Sequence, residues 1–562
     1  MMKKIKFLKR TMLVLLAGAL MFSFAGCSKK KTQGDKNVSK DYYNEEGFPI
    51  VKEPITIKVS ALRGVTQEWD DTFTVKKIKE NMGIDMDITT YVDSSSWDTK
   101  FAGMLLNGTL ADLMLNMANT RSEIDDYGEQ GYILNLAEYM DLMPNLKKYL
   151  DENPDYASTV YTTDGKLYSL ATTKQRSEGT ALLYVSKADQ EKYGFKASDI
   201  VTVDDLYNVL KKIKAQDPDV IPMSFTFDYD SGQRGSFPIR TAFGIPSVNG
   251  SFCMYEKDGK LVYGDVEENY KEFLKYMNKL YEEKLLDNDA FIMTTNELQT
   301  KIRSGKCVIW SDWTRLQVAT GEDRDVWSRY DIIPSLTSDY NDKRQTVLPS
   351  RNGSAANIYV NADTAYPEAI CRLIDYMFSE EGQIFFKYGI EGETFDWTTD
   401  EFGAKIPDCT KYYDYKNYDS VDVWLAQKVQ ISSAMRIRDY NLAYDVIEDA
   451  TDEQLEYYIK DEPSGMFAAD AFYEYYLRKT GTEELQTLPS LKHTKEEREV
   501  YETYYTDCAQ LLLKYKGEFI SGKKDVDAGW SEYLNSVNTF LDKMREVNQN
   551  ALARTLELQK NK

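Results

Sequence analysis

Apolar residues recur at Ile55, Ile57, Val59 and Ala61 of ITIKVSA, a period of two that predicts a strand with one buried face. A polar loop follows. FTVKKIKENM then reads as a helix stopped by Gly83, and IDMDITTYV resumes the alternation at Ile84, Met86 and Ile88. A helix between two such strands is a βαβ unit, so the strands are expected to run parallel. FAGMLLNG predicts a second helix closing on Gly108, and ADLMLN a short third strand.

The alternation of elements continues. ALLYVSK (181–187) is strand-like, and TVDDLYNVLKKIKAQDP opens on Thr202 and Asp205 as a capping box. Leu206, Val209, Leu210 and Ile213 share one face of that helix before Pro218 stops it. Two later segments carry the same stripe: Phe273, Leu274, Met277, Leu280 and Tyr281 in one, Ile370, Leu373, Ile374 and Met377 in the other. Such stripes pack helices onto sheets, which specifies an α/β protein. From Ser420 onward the pattern changes to long, tyrosine-rich helical runs such as DEQLEYYIK, DAFYEYYLRK and EREVYETYYTDCAQLLLKYK. No repeat of fixed period stands out.

The N-terminus has a different character. Lys3, Lys4, Lys6, Lys9 and Arg10 precede an uncharged run from Thr11 to Gly26 that is shorter than the roughly 20 residues needed to cross a bilayer. This is the layout of a signal peptide over residues 1–26. FSFAGCSKKK places Cys27 directly after the small residues Ala25 and Gly26, as in the bacterial lipobox, although Phe24 stands where leucine is more usual. Cys27 is therefore expected to be lipidated and to anchor the mature chain. The polar segment 27–48, lacking periodicity, is expected to be a disordered tether.

Charge and composition narrow the function. The chain has 562 residues, with 69 Lys and Arg against 91 Asp and Glu, for a net charge of −22. Loss of the basic signal would leave about −27, which disfavours nucleic acid and anionic membrane as partners. Cys253, Cys307, Cys371, Cys409 and Cys508 are widely spaced and form no C-x-x-C, so neither a disulfide framework nor a zinc site is indicated. His493, the single histidine, lies in the polar lead-in SLKHTKEERE and gives no base for a triad and no imidazole for a metal. Neither a P-loop nor a G-x-G-x-x-G occurs. No cofactor, no metal and no catalytic residue is expected.

Taken in order, LLNGTLADLMLN, DGKLYSL, LLYVSKADQEKYG, TVDDLYNVLKKIK, FIMTTNELQTKIRSGKCVIWSDWT and YPEAICRLIDYMFSEEGQIFFKYGIEGETFDW resemble the extracellular solute-binding proteins of carbohydrate ABC transporters, in particular the large lipoprotein branch of Gram-positive bacteria. The pattern departs from that branch at Asn107-Gly108-Thr109, usually Ser-Gly-Asp, and at Ala111, usually proline. The resemblance implies a type II periplasmic-binding-protein-like fold: two α/β lobes with a ligand cleft between them and a helical C-terminal part. Mapped on this chain, lobe 1 begins at 49–180, lobe 2 spans 181–345, residues 346–420 return to lobe 1 and the hinge, and 421–562 complete lobe 2.

It also implies cleft residues. Trp313 aligns with a sugar-stacking tryptophan of maltose-binding relatives, and Trp310, at the end of the apolar run KCVIW, either joins it or packs in the core. Aromatic faces stack on the C–H faces of sugars while neighbouring polar groups bind hydroxyls. Arg63 and Trp69 on the first βα loop, Asn116 after the third strand, Asp228 and Tyr229 after MSFTF, and Glu391 and Trp397 near the last glycines are further candidates, each of which a solvated loop would equally explain. The expected function is capture of an oligosaccharide by a monomer anchored on the outer face of the cell membrane and its delivery to ABC transporter permease subunits. A surface glycoside hydrolase, which needs two carboxyls about 5 to 10 Å apart, and a peptide-binding lipoprotein of the same fold are the alternatives.

Overall fold

The computed structural model describes residues 41–560 except 63–68, 70, 92–96, 118, 175–180, 228–234, 247–251, 313–328, 349–354, 419–420, 432–434, 436–437, 440–446, 448, 461–467 and 487. Cys27, Arg63, Asp228, Tyr229 and Trp313 thus lie outside the described residues, as does the signal segment. No helix among the described residues is long and apolar enough to cross a membrane.

The chain starts with β1 (Ile55–Leu62), β2 (Ile84–Tyr91) and β3 (Leu113–Leu115), passes through β4 (Thr173–Lys174), and builds β5 (Leu182–Ser186) and β6 (Ile221–Ser224). A hairpin of β7 (Met254–Lys257) and β8 (Lys260–Tyr263) precedes β9 (Cys307–Asp312) and β10 (Tyr330–Ile333). After β11 (Gln345–Leu348) the chain returns through β12 (Ile358–Val360) and a second hairpin, β13 (Asp396–Thr399) and β14 (Lys405–Asp408), to β15 (Arg438–Asp439) and β16 (Glu483–Gln486).

Two four-stranded sheets organise the molecule. The first has the order β12-β3-β1-β2. β1 runs parallel to both neighbours, with Val59 opposite Ile88 and Leu113, and only β12 is antiparallel. The alternation seen in sequence buries Ile57, Val59 and Ala61 in the lobe 1 core beside Ile84, Leu113, Ile358, Ile370 and Ile374. The helix between β1 and β2 widens into a π turn over Ile78–Met82 and ends on Gly83 at φ 77°. Any Cβ there would also approach Val51 Cγ2 to 2.7 Å, so glycine is required twice over.

The second sheet, β10-β5-β9-β6, mixes antiparallel pairs with one parallel pair, β6 with β9. Its core contains Leu206, Leu210 and Ile213 of the capped helix Val203–Gln216 together with Phe273, Leu274 and Met277. The two longest helices, Lys495–Ile520 and Val526–Lys560, contribute Cys508, Leu512, Phe519, Val537, Leu541 and Met544 to this same core. Residues 421–431, grouped with lobe 2 on sequence, pack instead on lobe 1. Thr74 Oγ1 donates to the Val429 carbonyl at 2.7 Å, Gln430 Nε2 to the Lys387 carbonyl at 2.8 Å, and Ile431 enters the lobe 1 core. The crossing between lobes is marked by β4 pairing in parallel with β15.

Candidate functional site

In a sheet of parallel strands the carboxyl ends, and the loops that leave them, face the crevice where ligands bind. β3 ends at Leu115, and Asn116 turns the chain sharply with φ 53°, a left-handed conformation that asparagine tolerates better than most residues. Asn357, just before β12, fixes this turn. Its carbonyl accepts the Asn116 N–H at 2.6 Å, its Nδ2 donates to Asn116 Oδ1 at 2.9 Å, and its Oδ1 accepts the Thr172 N–H at 2.8 Å. One side chain thus ties together three segments of the strand ends.

Three residues on, Asn119 is 3% exposed. Its Oδ1 accepts from both Trp97 Nε1 at 2.6 Å and Tyr359 OH at 2.7 Å, so the amide orientation is fixed by two donors. Trp97 in turn meets Tyr91 and Phe101 edge-on or tilted, at 5.0 and 5.6 Å. Burial pushes the Tyr359 hydroxyl far above the usual phenol range, which keeps it a neutral donor. Thr120 closes the loop as N-cap of the helix Arg121–Glu129, in a capping box with Glu123. Of this hydrogen-bonded group the sequence reading named Asn116 as a candidate and did not name Asn119, Trp97, Asn357 or Tyr359. The T-x-x-E signal of Thr120 and Glu123 was available and would have marked the loop 116–120 as a strand-to-helix turn.

The other expected residues fall elsewhere. Trp310 is 0% exposed and stacks on Tyr184 with centroids 4.6 Å apart, with Tyr330 against its edge, in a cluster with Leu298, Tyr473 and Tyr476. Both faces of its strand are covered, so the side chain packs and has no free face for a sugar. Trp69 is 2% exposed and belongs to the lobe 1 core, while its carbonyl accepts from the N–H and hydroxyl of Thr72. Glu391 is exposed on a turn held by Gly392 N–H to the Phe395 carbonyl at 2.8 Å. Trp397 is half-buried on β13, with Lys405 Nζ 4.3 Å over its ring. No hydrogen bond or ring contact among the described residues joins either to the Asn116–Asn119 group. A groove bounded by Lys187, Gln190, Phe195, Asp199 and Asp331 opens at the opposite end of the second sheet, beyond Ser186 where β5 leaves β9.

Titratable groups add little chemistry. Burial pushes the Cys253 and Cys508 thiols up to about 12 and raises Cys307 and Cys371 too, so these are unreactive thiols. His493 leads into a helix and, despite its polar sequence setting, is partly buried, and burial lowers its pKa. Its Nε2 lies 2.7 Å from Asn548 Oδ1 and its ring stacks on Tyr501. Among the described residues no group of three or more His, Cys, Asp or Glu could hold a metal ion.

The arrangement is a polar loop at a strand end of the first sheet, and the family model for bacterial extracellular solute-binding proteins matches residues 66–384, more than half of the chain. The chain belongs to that family. Over 341 residues it is 28% identical to the fructooligosaccharide ABC transporter substrate-binding protein FusA of Streptococcus pneumoniae, a stretch that covers 58% of this chain and 60% of FusA. It is 23% identical to lipoprotein LipO of Bacillus subtilis, covering 70% of this chain and 74% of LipO. The structure of S. pneumoniae FusA in complex with kestose superposes with a TM-score of 0.69 at 20% identity, covering 90% of this chain and all of that one. An extracellular solute-binding protein from Bifidobacterium longum subsp. infantis gives 0.71 at 18% identity, covering 90% and 98%. The fold of this solute-binding protein is accordingly the type II binding-protein fold of two α/β lobes.

Proposed function

We propose that this chain is an extracellular substrate-binding protein, anchored to the outer face of a bacterial cell membrane through lipidated Cys27, that captures an oligosaccharide and delivers it to the permease of an ABC transporter. The observation that carries the reading is the membership of the solute-binding family together with a strand-end loop whose asparagines are held in place by hydrogen bonds. Such buried amides would hold the backbone of the loop and the partly exposed Asn116 in one geometry for a ligand, and contacts to both lobes would favour a closed state. Trp313 is the proposed stacking face on the lobe 2 side. Because the relative FusA is named for fructooligosaccharides, kestose and longer fructans are the first ligands to try, ahead of other oligosaccharides and peptides.

The test is a thermal-shift screen followed by calorimetry and product analysis. Tight binding of an oligosaccharide without turnover supports the proposal; release of shorter sugars would make the chain a hydrolase, and binding of peptides alone would overturn the carbohydrate reading. Fractionation of cells expressing Cys27→Ser tests the anchor, since loss of the acyl chains should release the protein or trap it uncleaved. Mature-size mutant in the membrane fraction at wild-type amount would overturn it.

A further inference from the structure

The helix Val526–Lys560 is 35 residues long, about 52 Å at 1.5 Å per residue. Its first half, through Met544, is built into the lobe 2 core. Farther along, Asn548 and Gln549 still bond the β7–β8 hairpin of lobe 2, and the same helix also packs against the helix Pro154–Val160 of lobe 1. One rigid element therefore reaches across both lobes. The contact is completed by the segment leading into its partner helix Lys495–Ile520. Thr555 accepts the Lys492 N–H at 3.0 Å, and the Lys492 ammonium, 6% exposed as a residue, donates to the carbonyls of Thr159 at 2.8 Å and Tyr161 at 2.5 Å. Arg498 donates to Asp126 Oδ1 at 2.6 Å and to the Ser122 carbonyl at 3.3 Å, and Arg121 Nη2 to Ser490 Oγ at 3.4 Å. Arg554 locks this segment to the long helix through Glu497 at 2.9 and 3.1 Å.

The lobe 1 half of the contact is continuous with the loop that holds Asn119. Ser122 and Asp126 lie on the helix that Thr120 caps, one residue beyond Asn119. A change in the lobe angle has to move this seat, and a change in the seat is felt at the loop.

We propose that the C-terminal helix pair is an interlobe strut, and that its polar seat on lobe 1, centred on Lys492 and Arg498, sets the angle between the lobes and hence the balance of open and closed forms. From the proposed function the inference takes only that the two lobes move relative to each other. The seat is a two-state contact that ligand binding biases, in the way hinge and shear motions are biased generally.

The experiment measures the distance between spin labels at Lys148→Cys and Lys211→Cys, exposed positions on the two lobes, in a Cys27→Ser background, since the described native cysteines are buried. It is done on ligand-free protein for wild type, Lys492→Met, Arg498→Met and, as control, Lys524→Met, which removes the Lys524–Glu532 pair and the Lys524 contact with the Tyr515 ring, both between the two C-terminal helices and away from the seat. The expected result is a shifted or broadened distribution in both seat variants and none in the control. Where a binding sugar is in hand, its Kd should also change by at least about fivefold, the lower end of usual coupling between sites. Distributions that superpose on wild type in the seat variants overturn the proposal. If Lys492→Met does not fold, Arg498→Met, whose partner Asp126 is partly exposed, decides alone. A chain that binds no sugar sinks the carbohydrate reading and leaves the ligand-free distance test standing.

Discussion

The two lobes each carry a strand region of distinct character. On lobe 1, after β3, the loop is polar: Asn116, Asn119 and Asn357 are each held by at least two hydrogen bonds. On lobe 2, β9 carries Trp310 to its far end and buries it wholly between Tyr184 and Tyr330. The first arrangement fixes geometry and the second supplies stability. Polar groups can specify a position only when satisfied, because an unmet buried donor costs as much as a good contact gains, whereas an aromatic ring in a core is held by area and shape with little directional demand.

The comparison breaks most visibly at Trp310. Trp310→Ala should cost about 3 to 5 kcal/mol of folding free energy by emptying a packed site, read as the denaturant midpoint of ligand-free protein. A small loss of stability with a large loss of affinity would move Trp310 into the cleft. On the polar side, Asn119→Leu should cost about 2 to 4 kcal/mol, because it strands both Trp97 Nε1 and the Tyr359 hydroxyl. Asn119→Asp keeps an acceptor and should recover most of that. If both variants were equally damaged, accepting from these two donors would not be what Asn119 contributes, since aspartate keeps both the acceptor and the volume.

Trp313→Ala sharpens the contrast within one strand end. As a proposed stacking face it should lower sugar affinity roughly 30- to 150-fold, or about 2 to 3 kcal/mol, with much less effect on ligand-free stability. Calorimetry on both tryptophan variants with the same sugar separates the two roles. Equal stability losses and unchanged affinity would make Trp313 a second core residue.

These residues also show what sequence could convey. Period-two alternation located β1 and β2 and their parallel pairing, and the Thr202–Asp205 box located a helix start, because each signal is local and has one physical cause. CVIW could not say whether Trp310 faces the core: a run buried on both faces loses its alternation, so side-chain direction is no longer written in it. Residues 421–431 went to the wrong lobe because what docks them is the Val429 carbonyl accepting from Thr74 and the Lys387 carbonyl accepting from Gln430. Backbone acceptors have no residue signature. The seat of Lys492 on Thr159 and Tyr161 joins positions more than 300 residues apart, beyond any periodic pattern.

That seat offers a further, smaller contrast in Asp125 beside Arg121, Lys492 and Arg498. Burial outweighs these cations and pushes its carboxyl from 3.8 up to about 6. A raised carboxylate favours the folded state fully below the unfolded value and progressively less as pH rises toward 6, since ionisation then costs the folded form more. Asp125→Asn removes that cost. Relative to wild type it should gain about 1 to 2 kcal/mol in stability between pH 4 and 7, the two-unit shift being discounted for partial exposure. A mutant less stable than wild type at pH 7 would mean that the three cations hold Asp125 ionised.

His493, on the other side of Lys492, should show the opposite sign and the smallest effect. Burial lowers its pKa below 6.5, with Arg498 and Arg554 acting the same way and Glu497 against. Its Nε2–H donates to Asn548 Oδ1, since that oxygen can only accept; this bond favours the charged ring, and burial outweighs it. Asn548 passes the connection on by donating to Tyr263 OH at 2.7 Å. A histidine depressed in the folded state contributes stability that is complete above 6.5 and is lost as pH falls through that value, because the unfolded chain then takes up the proton first. His493→Gln keeps an amide donor for Asn548 and cannot titrate. Between pH 7.5 and 5 the mutant should therefore lose less stability than wild type, by about 1 kcal/mol or less. Denaturant titrations at the two pH values, run beside Asp125→Asn, make the comparison internal. Histidine and aspartate at one seat should tilt the pH profile in opposite directions, and a double mutant should flatten it. If the His493→Gln profile matches wild type throughout, the ring exchanges protons as freely folded as unfolded, and the contact with Asn548 has no electrostatic consequence.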